Sequence, residues 1–319
     1  MSLLSIVLPA YNEEENIEKV CEVLGRLFSQ NGMEYELVFV NDGSKDRTWE
    51  KIRKAGEQYP QVTGIQFSRN FGKESAIFAG LGQARGDAVA VMDCDLQHPP
   101  ETLIEMYRLW ENGYEVVEAV KSSRGKEGFL HKHSAGIFYR MMSRATGIDM
   151  QNASDFKLLD RKVVDALRDM PERNMFFRAL SSWVGYKTVT VRFEVQERNA
   201  GESKWSTASL IRYALTNIVS FTSMPMQLVT ISGFVVLMLA LILGIQTLVK
   251  YLSGSAVEGF TTVILLLLLI GSAIMISLGI IGYYLAKIYD EVKHRPKYLI
   301  SEIIRGRETE ELSGQSRNY

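Results

Sequence analysis

The sequence predicts an α/β domain, with a Rossmann-like, mostly parallel sheet carrying helices on both faces, followed by an amphipathic helix and two transmembrane helices. Three observations carry that expectation. Up to about residue 120, short β-rich runs alternate with amphipathic stretches, the pattern of parallel strands joined by covering helices. From Leu228 to Val249 there are 22 positions without Asp, Glu, Lys, Arg or His. At about 1.5 Å per residue such a run reaches about 33 Å, against a hydrocarbon core of about 30 Å. Phe260 to Ala286 repeats the feature over 27 positions. An entirely soluble protein is thereby excluded, and a net charge of -1 excludes a basic nucleic-acid binder.

Leu3 to Leu8 reads as the first strand. Glu13 to Phe28 then sets Ile17, Val20, Leu24, Leu27 and Phe28 at helical spacing, with Glu13, Glu14 and Glu15 in the first turn, where the helix dipole favours acid. Tyr35 to Val40, Val62 to Phe67 and Ala88 to Met92 are further strands, short and apolar as burial on both faces requires. Helices near Thr48 to Tyr59 and Glu74 to Ala84 lie between them. Within the second of these, Gly80 and Gly82, with Gly86 beyond, miss the dinucleotide-binding spacing by one residue, so helix packing is their expected role. Another helix starts behind Pro99-Pro100 and ends near Gly113, ahead of a fifth strand at Tyr114 to Val120. From Ser122 to Val195 the pattern loosens, with a Gly-, Lys- and Arg-rich loop at Ser122 to Gly128 and a helix expected at Lys132 to Thr146.

Thr207 to Thr222 carries Leu210, Ile211, Ala214, Leu215 and Ile218 interrupted by Arg212, and 207–226 is expected to be an interfacial helix. The spans follow at 227–252 and 260–286. The intervening loop Ser253 to Gly259 lacks Lys and Arg, whereas Arg198, Lys204, Arg212, Lys287, Lys293, Arg295 and Lys297 flank the other side. Positive residues stay inside, which places the 1–206 domain, a 287–319 tail and both termini in the cytosol. Lys250 runs against that rule and is expected to snorkel; the polar end past Arg305 is expected to fray. Met1 to Leu8, closed by Pro9, is too short and too poor in basic residues for a secretory leader. The only cysteines, Cys21 and Cys94, fit a reducing compartment.

Three strand ends carry candidate chemistry. Asp93-Cys94-Asp95 directly follows an apolar strand, and side chains two apart on an extended chain point the same way. Both carboxylates can then face one site at the carboxyl end of a parallel sheet, where two hard oxygen ligands with open positions suit Mg²⁺ or Mn²⁺ shared with a diphosphate. A lone D-x-D is equally a solvated turn. In Asn41-Asp42-Gly43-Ser44, Asp42 could accept hydrogen bonds from a nucleoside base or ribose, an Asp/Ser helix cap being the alternative. In Leu8-Pro9-Ala10-Tyr11-Asn12-Glu13, Tyr11 could stack on a base and Glu13 bond its polar edge; a strand-to-helix turn is the alternative.

Together these segments resemble the family-2 glycosyltransferases of the GT-A fold, specifically the polyprenyl-phosphate glycosyltransferases of the GtrB and dolichol-phosphate-mannose-synthase type. The resemblance covers nearly the whole chain. It rests on Pro9-Ala10-Tyr11-Asn12-Glu13, Asn41-Asp42-Gly43-Ser44, the stretch Asp93 to Glu101, the stretch Asp155 to Arg161, and the stretch Glu197 to Trp205, with the two C-terminal spans narrowing it further. It implies nucleoside contacts at Pro9, Tyr11, Glu13 and Asp42, a divalent Mg²⁺ or Mn²⁺ held on the diphosphate by Asp93, Asp95 and Gln97, and phosphate contacts from Arg198 and Lys204. Where Lys121 stands, family members often carry Arg; lysine supplies charge without a bidentate fork, and nearby Arg124 is the alternative. Asp95 and Asp155 are the catalytic carboxylates implied, Asp155 at the family's base position. A prenyl monophosphate, with a second pKa of about 6, is mostly ionised at neutral pH. Orienting the acceptor or the sugar is therefore a second role open to Asp155, and an ion pair with Arg161 or Lys157 a third.

The activity implied is inverting transfer of a hexose to a membrane polyprenyl phosphate such as undecaprenyl phosphate, giving a β-linked lipid sugar for cell-envelope glycosylation at the cytoplasmic membrane. Glucose from UDP-glucose stands ahead of mannose from GDP-mannose. A non-catalytic membrane scaffold that keeps a nucleotide-sugar-binding domain is the alternative from another class. Relatives of this type assemble as tetramers, and Pro296 to Ile304 is a candidate for a strand exchanged between protomers.

Overall fold

The computed structural model of the chain describes residues 2–121, 154–170, 172, 176–194, 224–254 and 259–306. They fall into two compact units, Met1–Trp205 with Pro296–Tyr319, and Ser206–Arg295.

In the first unit β1 (Leu4–Ala10), β2 (Tyr35–Asn41), β3 (Val62–Phe67) and β4 (Ala88–Val91) pair in parallel, with β1 between β2 and β4 and β3 beyond β2. Their near-continuous apolar sequences follow from burial on both faces. On one face Leu4, Ile6 and Leu8 join Ile17, Leu24 and Phe28 of α1 (Ile17–Gln30), with Ile52 and Ala55 of α2 (Thr48–Gln58) in the same core. On the other face α3 (Lys73–Gln83) approaches β1 so closely that a Cβ on Gly80 would lie 2.2 Å from Val7 Cγ1. Packing is thus the reason for glycine at 80.

The remaining elements of this unit are α4 (Glu101–Glu111), β5 (Val116–Lys121), β6 (Lys157–Asp160), α5 (Arg161–Arg168), α6 (Phe177–Trp183), β7 (Thr188–Phe193) and β8 (Ile300–Arg305). The sheet order is β7-β5-β6-β4-β1-β2-β3-β8. Its centre is parallel as expected, but β6 runs antiparallel to β4 and β5, and β8 antiparallel to β3. The reversal of β6 matters for the site. Parallel strands bring their carboxyl ends to one edge, and an antiparallel neighbour brings its amino end there. In the β4–β6 register Val91 faces Lys157, so the same register carried two residues further sets Asp155 opposite Asp93.

One expectation is corrected here. The helix expected from Glu13 begins at Ile17, because Glu13 and Glu14 are held in a turn: the Glu13 N–H donates to Thr48 Oγ1 at 2.8 Å, and the Arg47 N–H to Glu14 Oε2 at 3.0 Å. Only Glu18 is left as an acid in the first helical turn. Within Pro296 to Ile304, a candidate strand from the sequence, β8 forms and pairs in the single chain along the open edge of β3. Tyr298 stacks on Phe67 with ring centroids 5.1 Å apart, and Glu302 receives Trp49 Nε1–H at 3.2 Å and Arg53 at 2.8 Å.

The second unit holds α7 (Met224–Leu252) and α8 (Phe260–Val292), which pack on each other. Within them Val229–Lys250 and Leu269–Val292 are long and apolar enough to cross a membrane. Phe234, Ile245, Leu267 and Met275 are among the large apolar side chains left exposed, which suits a lipid surrounding. α8 runs six residues past the expected end of the span at Ala286, adding Lys287, Asp290 and Glu291 to its final turns. The interfacial helix expected at Thr207 to Thr222 and the helix expected at Lys132 to Thr146 lie outside the described residues.

Candidate active site

The carboxyl ends of β1, β2 and β3 form one polar cluster. After β1 the chain turns through Asn12, whose φ of 55° is one that asparagine tolerates. The Asn12 N–H donates to Ser44 Oγ at 2.9 Å, and Asn12 Oδ1 accepts from the Lys45 N–H at 2.9 Å, so the β1 and β2 loops are tied reciprocally. Asn41 is completely buried, donates to Gln66 of β3, and accepts the Ser44 N–H at 3.2 Å. Asp42 reaches further. Its Oδ1 accepts the Phe71 N–H at 2.6 Å and its Oδ2 the Gly72 N–H at 2.9 Å. Burial pushes the Asp42 carboxyl above the usual carboxylate value, and those two amide bonds pull the other way. The helix-cap alternative for Asp42 does not hold: α2 begins behind Arg47, and Asp46 receives the Thr48 N–H. Asp42 instead pins the loop into α3, where Gly72 has φ 96° and ψ 156°, a backbone region open essentially to glycine alone.

A second cluster lies at the ends of β4 and β6. Half-buried Asp93, Asp95 and Gln97 alternate with buried Met92, Cys94 and Leu96, which turns the three oxygen-bearing side chains away from the core. Cys94 is used inside, its thiol 3.3 Å from the Pro9 carbonyl. The Gln97 N–H donates to Asp95 Oδ1 at 3.1 Å, closing the turn. Two carboxylates and an amide oxygen are the hard donors that Mg²⁺ or Mn²⁺ takes, and they leave positions for ligand oxygens, so the donor set fits the expected ion. Among the described residues no group of three or more His, Cys, Asp or Glu forms a complete metal cage.

Beside Asp93 stands Lys73, the first residue of α3. Its Nζ lies 2.6 Å from Asp93 Oδ1 and 3.0 Å from Asp155 Oδ2. Arg178 of α6 grips the same Asp155 carboxylate with Nε at 2.7 Å from Oδ1 and a terminal nitrogen at 2.9 Å from Oδ2. Burial alone would raise the Asp155 carboxyl, but the Lys73 and Arg178 charges outweigh it and hold the group far below the usual carboxylate range. Burial alone would likewise lower Lys73, and Asp155 and Asp93 reverse that. Next along α3, Glu74 receives the Phe177 N–H at 2.9 Å; its carboxyl is pushed up to about 7, by burial first and by the Asp155 charge second. Beneath this layer Lys157, completely buried, lies 3.2 Å from Glu118 Oε1 and donates to Ser181 Oγ at 2.9 Å.

Asp155 is therefore ion-paired, though not with the partners considered from sequence. Arg161 turns to the carbonyls of Gly86 and Ala84, each at 2.9 Å, and Lys157 belongs to Glu118. The structure brings Asp42, Asp93, Asp95 and Asp155 to one edge of the sheet, with Pro9 in the last residues of β1 and Tyr11 and Glu13 following it at that edge. Lys121 ends β5 opposite Phe193. Arg124, Arg198 and Lys204 lie outside the described residues. Lys73, Glu74 and Arg178 escaped the sequence reading. Lys73 had a usable signal, since a helix that follows a parallel strand starts at the carboxyl edge; Arg178 had none nearby.

A model of the family described as Glycosyl transferase family 2 matches residues 5–168. An uncharacterized glycosyltransferase of Bacillus subtilis (strain 168), YkcC, is 41% identical over 300 residues, covering 93% of each chain. The bactoprenol glucosyl transferase of Shigella phage SfII is 37% identical over 305 residues, covering 95% of this chain and 99% of its own. Among solved structures, a mycobacterial protein superimposes with a TM-score of 0.51 at 19% identity, over 69% of this chain and 74% of that one, a likeness of fold.

Proposed function

The chain belongs to glycosyl transferase family 2, and on that footing we propose that it moves glucose from UDP-glucose to the phosphate of a membrane polyprenol such as undecaprenol. A phosphate oxygen of the acceptor attacks the anomeric carbon from the face opposite the nucleotide. The bond from that carbon to UDP breaks, its electron pair leaves with UDP, and the product is β-linked polyprenyl-phosphate glucose. The observation that carries this reading is the meeting of the D-x-D after β4 with the cation-gripped Asp155 at one sheet edge, next to the polar cluster at the ends of β1 and β2.

Each part has a physical task. Tyr11, Glu13 and Asp42 would meet the nucleoside, with Pro9 in the end of β1 beneath it. Asp93, Asp95 and Gln97 would hold Mg²⁺ or Mn²⁺ on the diphosphate. When bound, that ion supplies positive charge against the leaving group. Lys121 or Arg124, with Arg198 and Lys204, adds fixed cations for donor and acceptor phosphates. Asp155 is a poor proton acceptor, because two cations already stabilise its ionised form. The acceptor phosphate is ionised and asks for no base, so Asp155 serves by holding Lys73 and Arg178 in place. A prenyl acceptor cannot leave the bilayer cheaply, and α7 and α8 are long and apolar enough to keep the enzyme at it. We place the catalytic unit on the cytosolic side by the distribution of Lys and Arg.

The test is a donor panel. Purified full-length protein receives undecaprenyl phosphate, Mg²⁺ and radiolabelled UDP- and GDP-sugars, and label entering the organic phase is scored. Label from UDP-glucose is expected. Label from GDP-mannose alone, or from no donor, overturns the substrate assignment.

A further inference from the structure

In the transfer as derived above Lys73 is held in place by Asp155 but given no task of its own, yet it touches both Asp93 and Asp155. It is also held at three points. Gly72 ahead of it is fixed by the Asp42 carboxylate, α3 behind it is fixed by the close packing of Gly80 on Val7, and its ammonium is held between Asp93 and Asp155. Its side chain is 39% exposed and that of Asp93 31%, so solvent and ligands reach this contact, while Asp155 is only 7% exposed.

The geometry points to Lys73 as a positioning residue that competes with the divalent ion for Asp93, with Asp155 setting how strongly it competes. The inference rests on the reading of Asp93 and Asp95 as metal carboxylates. An ammonium 2.6 Å from Asp93 Oδ1 occupies one of the lone pairs an ion would use, and it repels a cation bound to the same carboxylate. Asp155 draws the same ammonium from the other side at 3.0 Å and shares its own charge with Arg178. The stronger the pull of Asp155, the less of Lys73 is left for Asp93. Asp155 thus governs the metal site without touching it. The Asp42–Gly72 bond makes the arrangement longer still, because the residue at the nucleoside end fixes where Lys73 begins.

Manganese binding in the absence of nucleotide tests this directly, read as loss of the free Mn²⁺ electron-paramagnetic-resonance signal with the full-length chain in detergent. K73M is expected to bind Mn²⁺ about tenfold more tightly than wild type, since one nearby positive charge is gone from a partly exposed site. D155N is expected to bind several-fold more weakly, roughly the opposite shift, because Lys73 then falls wholly to Asp93. In the K73M/D155N double variant the weakening disappears, whereas a general charge effect would add in full. Equal or weaker binding by a folded K73M, or a double variant weakened as much by D155N as wild type is, overturns the inference. If K73M does not fold, D155N decides alone, unchanged or tighter binding counting against. D95A separates the two levels: it should lose Mn²⁺ binding, and if it binds as wild type does, the metal assignment itself fails and the inference with it.

Discussion

At the ends of β1 and β2 the polar side chains bind backbone amides, whereas at the ends of β4 and β6 they bind one another as ions. In the first cluster Asn12, Asp42 and Thr48 each satisfy an N–H of a neighbouring loop, and Asn41 one within its own. Such bonds set shape, and they are little affected by salt or by a charge arriving nearby. In the second, Lys73, Arg178, Asp93 and Asp155 form a chain of close ion pairs over buried Lys157 and its half-buried partner Glu118. A cluster of that kind resists the loss of any member and responds to added charge. On the function proposed above, the first end would meet a fixed shape and the second would respond when a diphosphate and its counter-ion bring charge.

The sharpest separation between the two comes from removing single members of each. Lys157→Ala leaves Glu118 with an uncompensated charge beside a void, and should cost about 4 kcal/mol of stability, read by chemical denaturation of the full chain. A loss below about 1 kcal/mol would mean that the ionic layer is not the rigid floor described here. Arg178→Ala removes one of the two cations on Asp155. Transfer should fall about 10²-fold in kcat, with the KM for donor little changed. A rise in donor KM instead would join this cluster to nucleoside recognition. Gly72→Ala forces a Cβ onto a φ of 96° and should destabilise by about 1–2 kcal/mol, the melting temperature dropping accordingly.

The smallest effect is a pH dependence. The Glu74 carboxyl sits at about 7 in the fold against a reference of 4.5, so the native state holds the proton more tightly than the unfolded chain. Its contribution to stability is complete below about 4.5 and is lost as pH rises through about 7. The melting temperature of wild type should therefore fall over that window relative to Glu74→Gln, which carries no titrating group at 74. Parallel profiles for the two proteins would remove Glu74 from the cluster.

How much of this was visible in the sequence follows the same division. The motifs behind the apolar parallel strands are contiguous in sequence, and a parallel sheet gathers strand ends by rule, so Tyr11, Asp42, Asp93 and Asp95 could be placed together without coordinates. The ionic cluster joins residues 73, 93, 155 and 178, and that meeting depends on the reversed direction of β6, which a four-residue strand does not announce. Asp155 was consequently singled out with the wrong ion-pair partners. β8 falls within the candidate strand Pro296 to Ile304, but its pairing was not legible for a related reason: Ile300 to Arg305 carries nothing that names its neighbour, and only the open edge of β3 gives it a place. Glu13 to Glu15 misled in the other direction, because acid ahead of an amphipathic run reads as a first helical turn although here it is bound to the next loop.

The measurement that bears most directly on the account is transfer of label from UDP-glucose to undecaprenyl phosphate by wild type and by Asp95→Ala, each across a Mg²⁺ titration that ends in excess chelator. The account predicts organic-phase label for wild type that rises with Mg²⁺ and vanishes with chelator, and a loss of about 10³-fold for Asp95→Ala at every concentration. Label formed by Asp95→Ala at the wild-type rate, or by wild type in excess chelator, would contradict it.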